Sequence, residues 1–395
     1  MPSEAKRLPV GPNSTLILKG PASARLVEGS LEVLGYRPGS KERLVAKPWR
    51  SLPLYSREGA IVEVSLGEGG GAEIVGEDTI PDDWRELSSS LGDSFRLMVI
   101  GMVDSGKTSL ITYLYNTHVP RGRMVVADLD MGQSEICPPT TIALAIGGKP
   151  SPSLSALEPN RVYPVGYTSP SYLTSRALES VAELSSTIGS ERRLLVNTDG
   201  WVDGEAARRH KSQLIRILKP SHVVLIGMGE ADDLVEASEE VGAELTRVSA
   251  PKVVLKRDLS ARKALRELSY ARYLRGARLR SIPRRWLRAR PLLLAGLPLE
   301  DYLREVIGEM EESAHHLTML VNGLEMTEAG IGILSYIWAG DRHEPSLALF
   351  MGIDDKGFAR FYTPYEGTIE LMEVGAVILS TDCREVYVLR PRINV

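Results

Sequence analysis

At 395 residues and 43% hydrophobic content, the chain can bury the cores of two or three domains, and its net charge of −4 excludes a uniformly basic protein, so any polyanion surface must be local. Its two cysteines, Cys137 and Cys383, lie far apart, which excludes a disulfide-built scaffold and points to a reducing cytoplasm. The start, Met-Pro-Ser-Glu-Ala-Lys-Arg, has no apolar signal core, and no apolar run approaches a membrane span, so no membrane association is expected.

Residues 1–85 read as a β domain. Short apolar runs at Thr15–Lys19, Ala24–Val27, Leu31–Leu34 and Ile61–Ser65 are separated by Gly29, Gly35, Gly39 and Gly59, and Gly67–Gly71 predicts a hairpin loop before Ala72–Val75. The first segment with helical periodicity is Trp84–Leu91. This pattern predicts a compact β-sandwich or barrel without catalytic residue chemistry.

A nucleotide-binding core is expected over 86–290. The apolar run Leu97–Ile100 leads into Gly101-Met-Val-Asp104-Ser105-Gly106-Lys107-Thr108, a match to G-x-x-x-x-G-K-[ST], and Ser109 onward is helix-like with apolar residues at 110, 111 and 114. A strand feeding a helix through such a loop brings backbone N–H groups and the positive helix end onto anionic oxygens. Gly101, Asp104, Ser105, Gly106, Lys107, Thr108 and Ser109 are therefore the expected nucleotide-binding residues, with Lys107 on the β- and γ-phosphates and the Thr108 hydroxyl on Mg²⁺. A second buried strand, Arg123–Asp128, runs into Asp128-Leu-Asp130-Met-Gly-Gln133. Acids at the carboxyl end of a strand in an α/β sheet face the ligand. One can serve the Mg²⁺ shell while the other faces an incoming nucleophile.

Further along, Tyr163–Pro170 precedes an amphipathic helix near Tyr172–Ile188, and the strand Arg193–Asn197 leads to Thr198-Asp-Gly200-Trp201. A Trp beside a glycine just past a strand end is a candidate stacking platform for a base. A helix at Gly204–Leu218 and a strand at His222–Gly227 continue the alternation, which predicts a mostly parallel, three-layered α/β sheet. Lys256 to Arg290 then holds thirteen Lys or Arg against Asp258 and Glu267. Arg262 and Arg266, one turn apart, would repel each other unless an anion sits between them, as in a lid over a γ-phosphate. The arginines from Arg272 to Arg290 suit a phosphodiester backbone. From 291 to 395, one helix around Glu300–Met310 and β-like runs at Leu317–Val321, Ile331–Trp338, Leu347–Gly352, Ala359–Tyr362, Thr368–Met372, Ala376–Leu379 and Val386–Leu389 predict a second small β-barrel or sandwich. The six histidines lack metal-ligand spacing, so no zinc site is expected.

Taken together, Asp-x-Asp-x-Gly-Gln at 128–133 with Pro138-Pro139, Gly166-x-Thr-Ser-Pro170, Asn-Thr-x-Gly-Trp at 197–201 and Arg-x-x-x-Arg at 262–266 followed by Arg272-Tyr-Leu-Arg-Gly276 resemble the RNA 5′-hydroxyl polynucleotide kinases. That family includes the kinase subunit of the pre-mRNA 3′-cleavage machinery, the ribosomal-RNA-processing kinase and archaeal counterparts. The flanks agree: Gly29–Gly35 in front, and Gly352-Ile-Asp, Gly357 and Tyr362-Thr-Pro364 behind. The resemblance implies a P-loop kinase core with flanking β domains, ATP and Mg²⁺ as cofactors, and 5′-hydroxyl ends of RNA as acceptors, with DNA open as a second acceptor and RNA-processing proteins as partners. It implies Lys107, Asp130, Arg262 and Arg266 as catalytic, with Asp130 the general base and Asp128 joining Thr108 behind the metal. It also implies that Gln133 lies near the acceptor and that Thr198, Gly200 and Trp201 form a clasp on the terminal nucleotides. Tyr167 departs from the His or Asp common in relatives, and Leu274 from the usual aromatic.

Two other readings compete. One keeps the fold without turnover, as an ATP-binding scaffold of an RNA-processing complex. The other is a P-loop GTPase or metallochaperone-type switch, against which stands the lack of an Asn/Thr-Lys-x-Asp element after Val223–Gly227.

Overall fold

The computed structural model describes residues 5–229, 231–291, 327, 329–338 and 344–388. The expected helix around Glu300–Met310 and strand at Leu317–Val321 lie outside these residues. Contacts divide the chain into two compact units. The first is Met1–Asp128, Leu144–Pro159 and Ile188–Leu265; the second is Leu129–Ala143, Asn160–Thr187 and Arg266–Val395.

The first unit opens with seven strands: β1 (Lys6–Val10), β2 (Ser14–Lys19), β3 (Ala22–Gly29), β4 (Arg43–Ala46), β5 (Ser51–Ser56), β6 (Ala60–Leu66) and β7 (Gly71–Val75). They form two sheets, ordered β1-β6-β3-β4 and β5-β2-β7. Ala60, Val62 and Val64 alternate inward along β6, and with Leu16, Leu18, Leu44 and Leu54 they close one shared core. The expected strand at Leu31–Leu34 is reduced to isolated bridges at Glu32 and Val33, because Leu34 and Gly35 both turn left-handed. That turn has another use. Asn116 donates to the Leu34 carbonyl at 2.8 Å, and a Cβ on Gly35 would stand only 3.2 Å from Asn116 Cβ, so the turn lies flat on the helix that follows the P-loop.

Helix α1 (Asp82–Ser90) leads into β8 (Phe95–Gly101), α2 (Lys107–His118), β9 (Met124–Leu129), β10 (Thr141–Gly147), β11 (Pro159–Pro164), α3 (Thr174–Ile188), β12 (Arg193–Thr198), α4 (Glu205–Leu218), β13 (His222–Ile226), α5 (Asp232–Val241) and β14 (Glu244–Val248). The sheet at the centre of this unit runs β9-β12-β8-β13-β14. β8 pairs in parallel with β12 on one side and β13 on the other, aligning Val99 with Asn197 and Gly101 with Ile226. Leu97–Ile100 is wholly buried, as expected for a strand covered on both faces. After β8 the chain moves through α2 to β9, on the far side of β12; after β12 it moves through α4 to β13, on the far side of β8. The loops leaving β8 and β12 therefore diverge. A crevice opens at such a switch point, outside the carboxyl ends of the strands. The P-loop and the Thr198–Trp201 turn both stand there.

α6 (Leu259–Tyr273) carries the chain from the first unit into the second between Leu265 and Arg266. There follow β15 (Arg278–Pro283), β16 (Arg288–Pro291), β17 (Ile331–Trp338), β18 (Ser346–Ile353), β19 (Phe358–Thr363), β20 (Leu371–Ser380) and β21 (Glu385–Val388). The basic segment is thus α-helical only in its first part; from Arg278 it is two strands joined by a short turn at Arg284–Leu287. The sheet order is β15-β19-β18-β17-β20-β16, with β21 also on β20. Laid flat, six strands would hold their edges about 24 Å apart. The edges β15 and β16 are joined by only Arg284–Leu287, which reaches roughly 18 Å at most. The sheet must curl, and Ile333, Leu349, Phe350, Phe361, Val374 and Val377 fill its core. Thr368–Met372, expected as a strand, begins as one only at Leu371. No helix among the described residues is long and apolar enough to cross a membrane.

Candidate nucleotide and acceptor site

The phosphate loop is built by close backbone approach. A Cβ on Gly101 would lie 2.5 Å from Ile226 Cγ2 and 2.8 Å from Ser105 Oγ, and one on Gly106 would lie 2.6 Å from Pro251 Cδ. Gly106 also takes φ 98°, which only glycine adopts without strain. It hands the chain to α2, whose first residue is Lys107. The Lys107 ammonium folds back on the loop, donating to the carbonyls of Gly101 at 2.9 Å and Met102 at 2.6 Å. Ser105 Oγ is buried with no hydrogen-bond partner among the described residues. A cradle too tight for side chains, a lysine curled over it and an orphaned hydroxyl fit a bound phosphate chain. The fit extends to a divalent cation on those phosphates: Thr108 is the second residue of α2, and Asp128, fully buried near the end of β9, is oriented by Asn197 Nδ2 at 2.9 Å from its Oδ1.

Asp104, at the crest of the loop with φ 56°, holds the cationic segment. It accepts from the Arg257 backbone N–H at 3.0 Å, from Arg257 Nε at 2.9 Å and Nη2 at 2.6 Å, and from Arg262 Nη2 at 3.1 Å. Burial works against its charge, but these bonds to Arg257 and Arg262 prevail and keep its carboxyl below the ordinary range. Arg262 is therefore tied to the phosphate loop itself.

The turn after β12 is fixed from beneath. Thr198 Oγ1 donates to the Val99 carbonyl at 2.8 Å. Its hydroxyl serves the β8–β12 junction. A Cβ on Gly200 would meet Val103 Cγ2 at 2.5 Å and Val103 Cα and N at 2.8 Å, so this glycine is needed for the turn to lie on the P-loop. Asp199 bonds Lys211 Nζ of α4 at 2.5 Å, with 7% and 0% of the two side chains exposed, and its other oxygen accepts the Trp201 N–H at 2.9 Å. The Trp201 ring lies 5.8 Å from the His210 ring. Burial opposes ionisation of Asp199, yet Lys211, His210 and these hydrogen bonds hold its carboxyl below the ordinary value. Burial, with Lys211 alongside, pushes His210 down to about 4, so the imidazole under Trp201 is neutral near neutral pH.

The family model described as mRNA cleavage and polyadenylation factor CLP1 P-loop matches residues 101–276, from the first loop glycine past Arg262 and Arg266. This segment is similar to CLP1-type P-loop regions. Among curated proteins, the polyribonucleotide 5′-hydroxyl-kinase of Thermococcus kodakarensis is 34% identical over 209 residues, 51% of this chain and 58% of that protein. The kinase of the same name from Pyrococcus furiosus is 35% identical over 154 residues, 37% of this chain and 43% of that protein. The CLP1 homolog of Culex quinquefasciatus is 26% identical over 199 residues, 47% of each. The chain spans about half the length of these relatives, 43% to 58%. A solved wild-type Clp1p–Pcf11p complex matches with a TM-score of 0.68 at 14% identity, over 94% of this chain and 97% of that one, which establishes the fold.

Within residues 101–276, three candidate residues fall in the second unit. Asp130 Oδ1 accepts from the backbone N–H groups of Gly132 at 3.1 Å and Gln133 at 2.9 Å, an Asx turn that aims the carboxylate. A Cβ on Gly132 would stand 2.7 Å from the Thr168 carbonyl, which ties the Asp130–Gln133 turn to the Gly166–Pro170 motif. Arg266 makes a bidentate pair with Glu385 of β21, at 2.6 and 2.7 Å. Arg262 and Arg266 are thus held by different carboxylates on different units. Leu274, noted above as a departure from the usual aromatic, is buried in the second core with Tyr270, Ile333 and Phe350.

Sequence reasoning gave no role to Arg257, Asn197, Asp199, His210 or Lys211. For two of them a signal was present. α4 buries Ala207, His210, Lys211, Leu214, Ile215 and Leu218, a helical face on which a lysine and a histidine stand at apolar positions. A buried lysine demands a carboxylate.

Proposed function

We propose that this protein is an ATP-dependent polynucleotide kinase that transfers the γ-phosphate of ATP to the 5′-hydroxyl of RNA, with DNA open as a second acceptor. The observation that carries this reading is the Asp199–Trp201 turn lying on the tip of the phosphate loop through Gly200 and Val103, an aromatic platform beside a triphosphate cradle. The names of the Thermococcus and Pyrococcus relatives agree with it.

In this reading the loop from Gly101 to Ser109 binds the triphosphate. Lys107 neutralises the β- and γ-oxygens, and Thr198, Gly200 and Trp201 hold the acceptor's terminal nucleotides, with Gln133 toward its end. Thr108 and Asp128 would hold Mg²⁺, which when bound neutralises charge on the phosphate oxygens. Asp130 takes the proton of the 5′-hydroxyl. The 5′-oxygen bonds the γ-phosphorus as the bond to the β–γ bridging oxygen breaks, and ADP leaves with that electron pair. This reading assigns Arg262 and Arg266 to the charge that spreads over the transferring group. A cytoplasmic role in RNA processing with a protein partner belongs to the same reading, since solved Clp1p structures include Pcf11p.

The scaffold reading has one observation in its favour: both lid arginines are already engaged by carboxylates. One experiment separates the two. The protein is incubated with γ-labelled ATP and 5′-hydroxyl RNA or DNA oligonucleotides, with 5′-phosphorylated oligonucleotides as controls. Label should enter the 5′-hydroxyl RNA alone or with DNA, and not the controls. No label in any acceptor, with ATP binding retained, would establish the scaffold instead.

A further inference from the structure

Between Arg272 and Pro291 the chain carries eight arginines and no acid, although its overall net charge is −4. The arginines that serve the fold elsewhere are neutralised: Arg257 and Arg262 by Asp104, Arg266 by Glu385, Arg360 by Asp354. Arg280 is likewise used, donating to the carbonyls of Tyr365 and Gly367 at 2.8 and 2.7 Å. Arg278, Arg285 and Arg288 differ. They are exposed and form no ion pair with any described residue.

These three lie on β15, on the turn joining β15 to β16, and on β16. At the crest of that turn stands Trp286, 62% exposed, in a 3-10 segment that buries none of its residues. Tryptophan is usually among the well-buried side chains. Arg285 holds its guanidinium 5.8 Å from the Trp286 ring centre. An exposed indole flanked by a guanidinium, with arginines on either side that pair with no described residue, matches what single-stranded nucleic acid requires. The aromatic face stacks a base of any sequence, and the cations follow the phosphates. An acidic peptide would use the charges but leave the indole without a role.

We propose that the Arg278–Arg288 turn of the second unit is a docking surface for the single-stranded body of the RNA, with one base stacked on Trp286 and backbone phosphates on Arg278, Arg285 and Arg288. This rests on the reading of RNA as acceptor and adds to it a contact separate from the Trp201 clasp. The surface is sequence-tolerant and grips length rather than the 5′ end.

The test uses the full chain with Trp286→Ala, Trp286→Phe and the double variant Arg285→Ala/Arg288→Ala, each checked for an unchanged melting temperature. Steady-state kinetics are measured with a 5′-hydroxyl dinucleotide and with a 5′-hydroxyl RNA of about 20 nucleotides. Trp286→Ala should raise KM for the long RNA about 5- to 150-fold, the equivalent of one base stack, and leave the dinucleotide and ATP parameters unchanged. Trp286→Phe should recover most of the affinity. The arginine variant should flatten the salt dependence of long-RNA binding, lowering the log–log slope by about 0.7 for each phosphate that is no longer neutralised. A separate arm measures binding of a 5′-phosphorylated RNA of the same length by fluorescence anisotropy. That arm reads the surface even if no acceptor is phosphorylated, so failure of the kinase reading and failure of this one are distinguishable. Equal losses for short and long acceptors, unchanged long-RNA binding in Trp286→Ala, or a matching loss of poly-glutamate binding would each overturn the proposal.

Discussion

Lys211→Met removes one half of the ion pair beneath the Trp201 turn. Asp199 and Lys211 are 2.5 Å apart with almost no exposure, so neither charge is screened by water. Methionine keeps most of the volume and strands the carboxylate. Removing one partner of a buried pair costs about 3–5 kcal/mol, because the remaining charge is left uncompensated. Asp199→Asn/Lys211→Met, by contrast, leaves no buried charge, and its amide oxygen can still accept the Trp201 N–H; it should lose much less than the sum of the single losses. The sign of the pH dependence follows. In the parent protein Asp199 and His210 both have folded pKa values below their ordinary ones. Each therefore contributes stability that is present above its unfolded pKa and is lost as pH falls, for His210 between about 6.5 and 4. Without Lys211, burial dominates at Asp199 and its carboxyl rises. The group then prefers its protonated form, and the penalty of Lys211→Met should grow from pH 5 to pH 8. Urea denaturation followed by tryptophan fluorescence at several pH values measures this, alongside KM for the RNA acceptor, which should rise more than KM for ATP. A penalty independent of pH, or a double variant no better than Lys211→Met alone, would refute the assignment of Asp199 as the stranded group.

Other expectations bear on the reaction itself. Lys107→Ala should abolish phosphorylation without lowering the melting temperature by more than a few degrees, since the bonds from Lys107 to the Gly101 and Met102 carbonyls serve the loop and not a core; full activity in the folded variant would remove the P-loop lysine from the chemistry. Asp130→Asn keeps an oxygen for the Gly132 and Gln133 N–H groups but cannot take a proton, so kcat should fall roughly 10²- to 10⁴-fold with ATP affinity retained; a larger loss in Asp128→Asn at saturating Mg²⁺ would reverse the two roles. Trp201→Ala should weaken RNA use by about 5- to 150-fold and leave KM for ATP nearly unchanged; the opposite pattern would make Trp201 a nucleotide-base contact.

Much of this protein was legible from local pattern. The loop from Gly101 to Thr108 is contiguous, so glycine freedom, the lysine and the helix start are all visible in eight residues, and the apolar run Leu97–Ile100 before it reads as a strand. Period-2 and period-3.6 patterns likewise located β6 and α4. What sequence could not decide were the partners of charges far apart in the chain. Arg262 and Arg266 share a helix face and read as a pair, yet one bonds Asp104 and the other Glu385, 158 and 119 residues away. Gly200 reads as part of an acceptor clasp, but its lack of a side chain is required by Val103, which only the parallel pairing of β8 with β12 brings beside it. The run Leu31–Leu34 looks like a strand because its side chains are apolar; the left-handed Leu34 and Gly35 end it, and the reason for that turn is a docking contact with Asn116. Local propensity sets which elements form. The ion pairs and close backbone contacts that decide what each site residue does depend on distances across the sheet, and those exist only once the strands have taken their order.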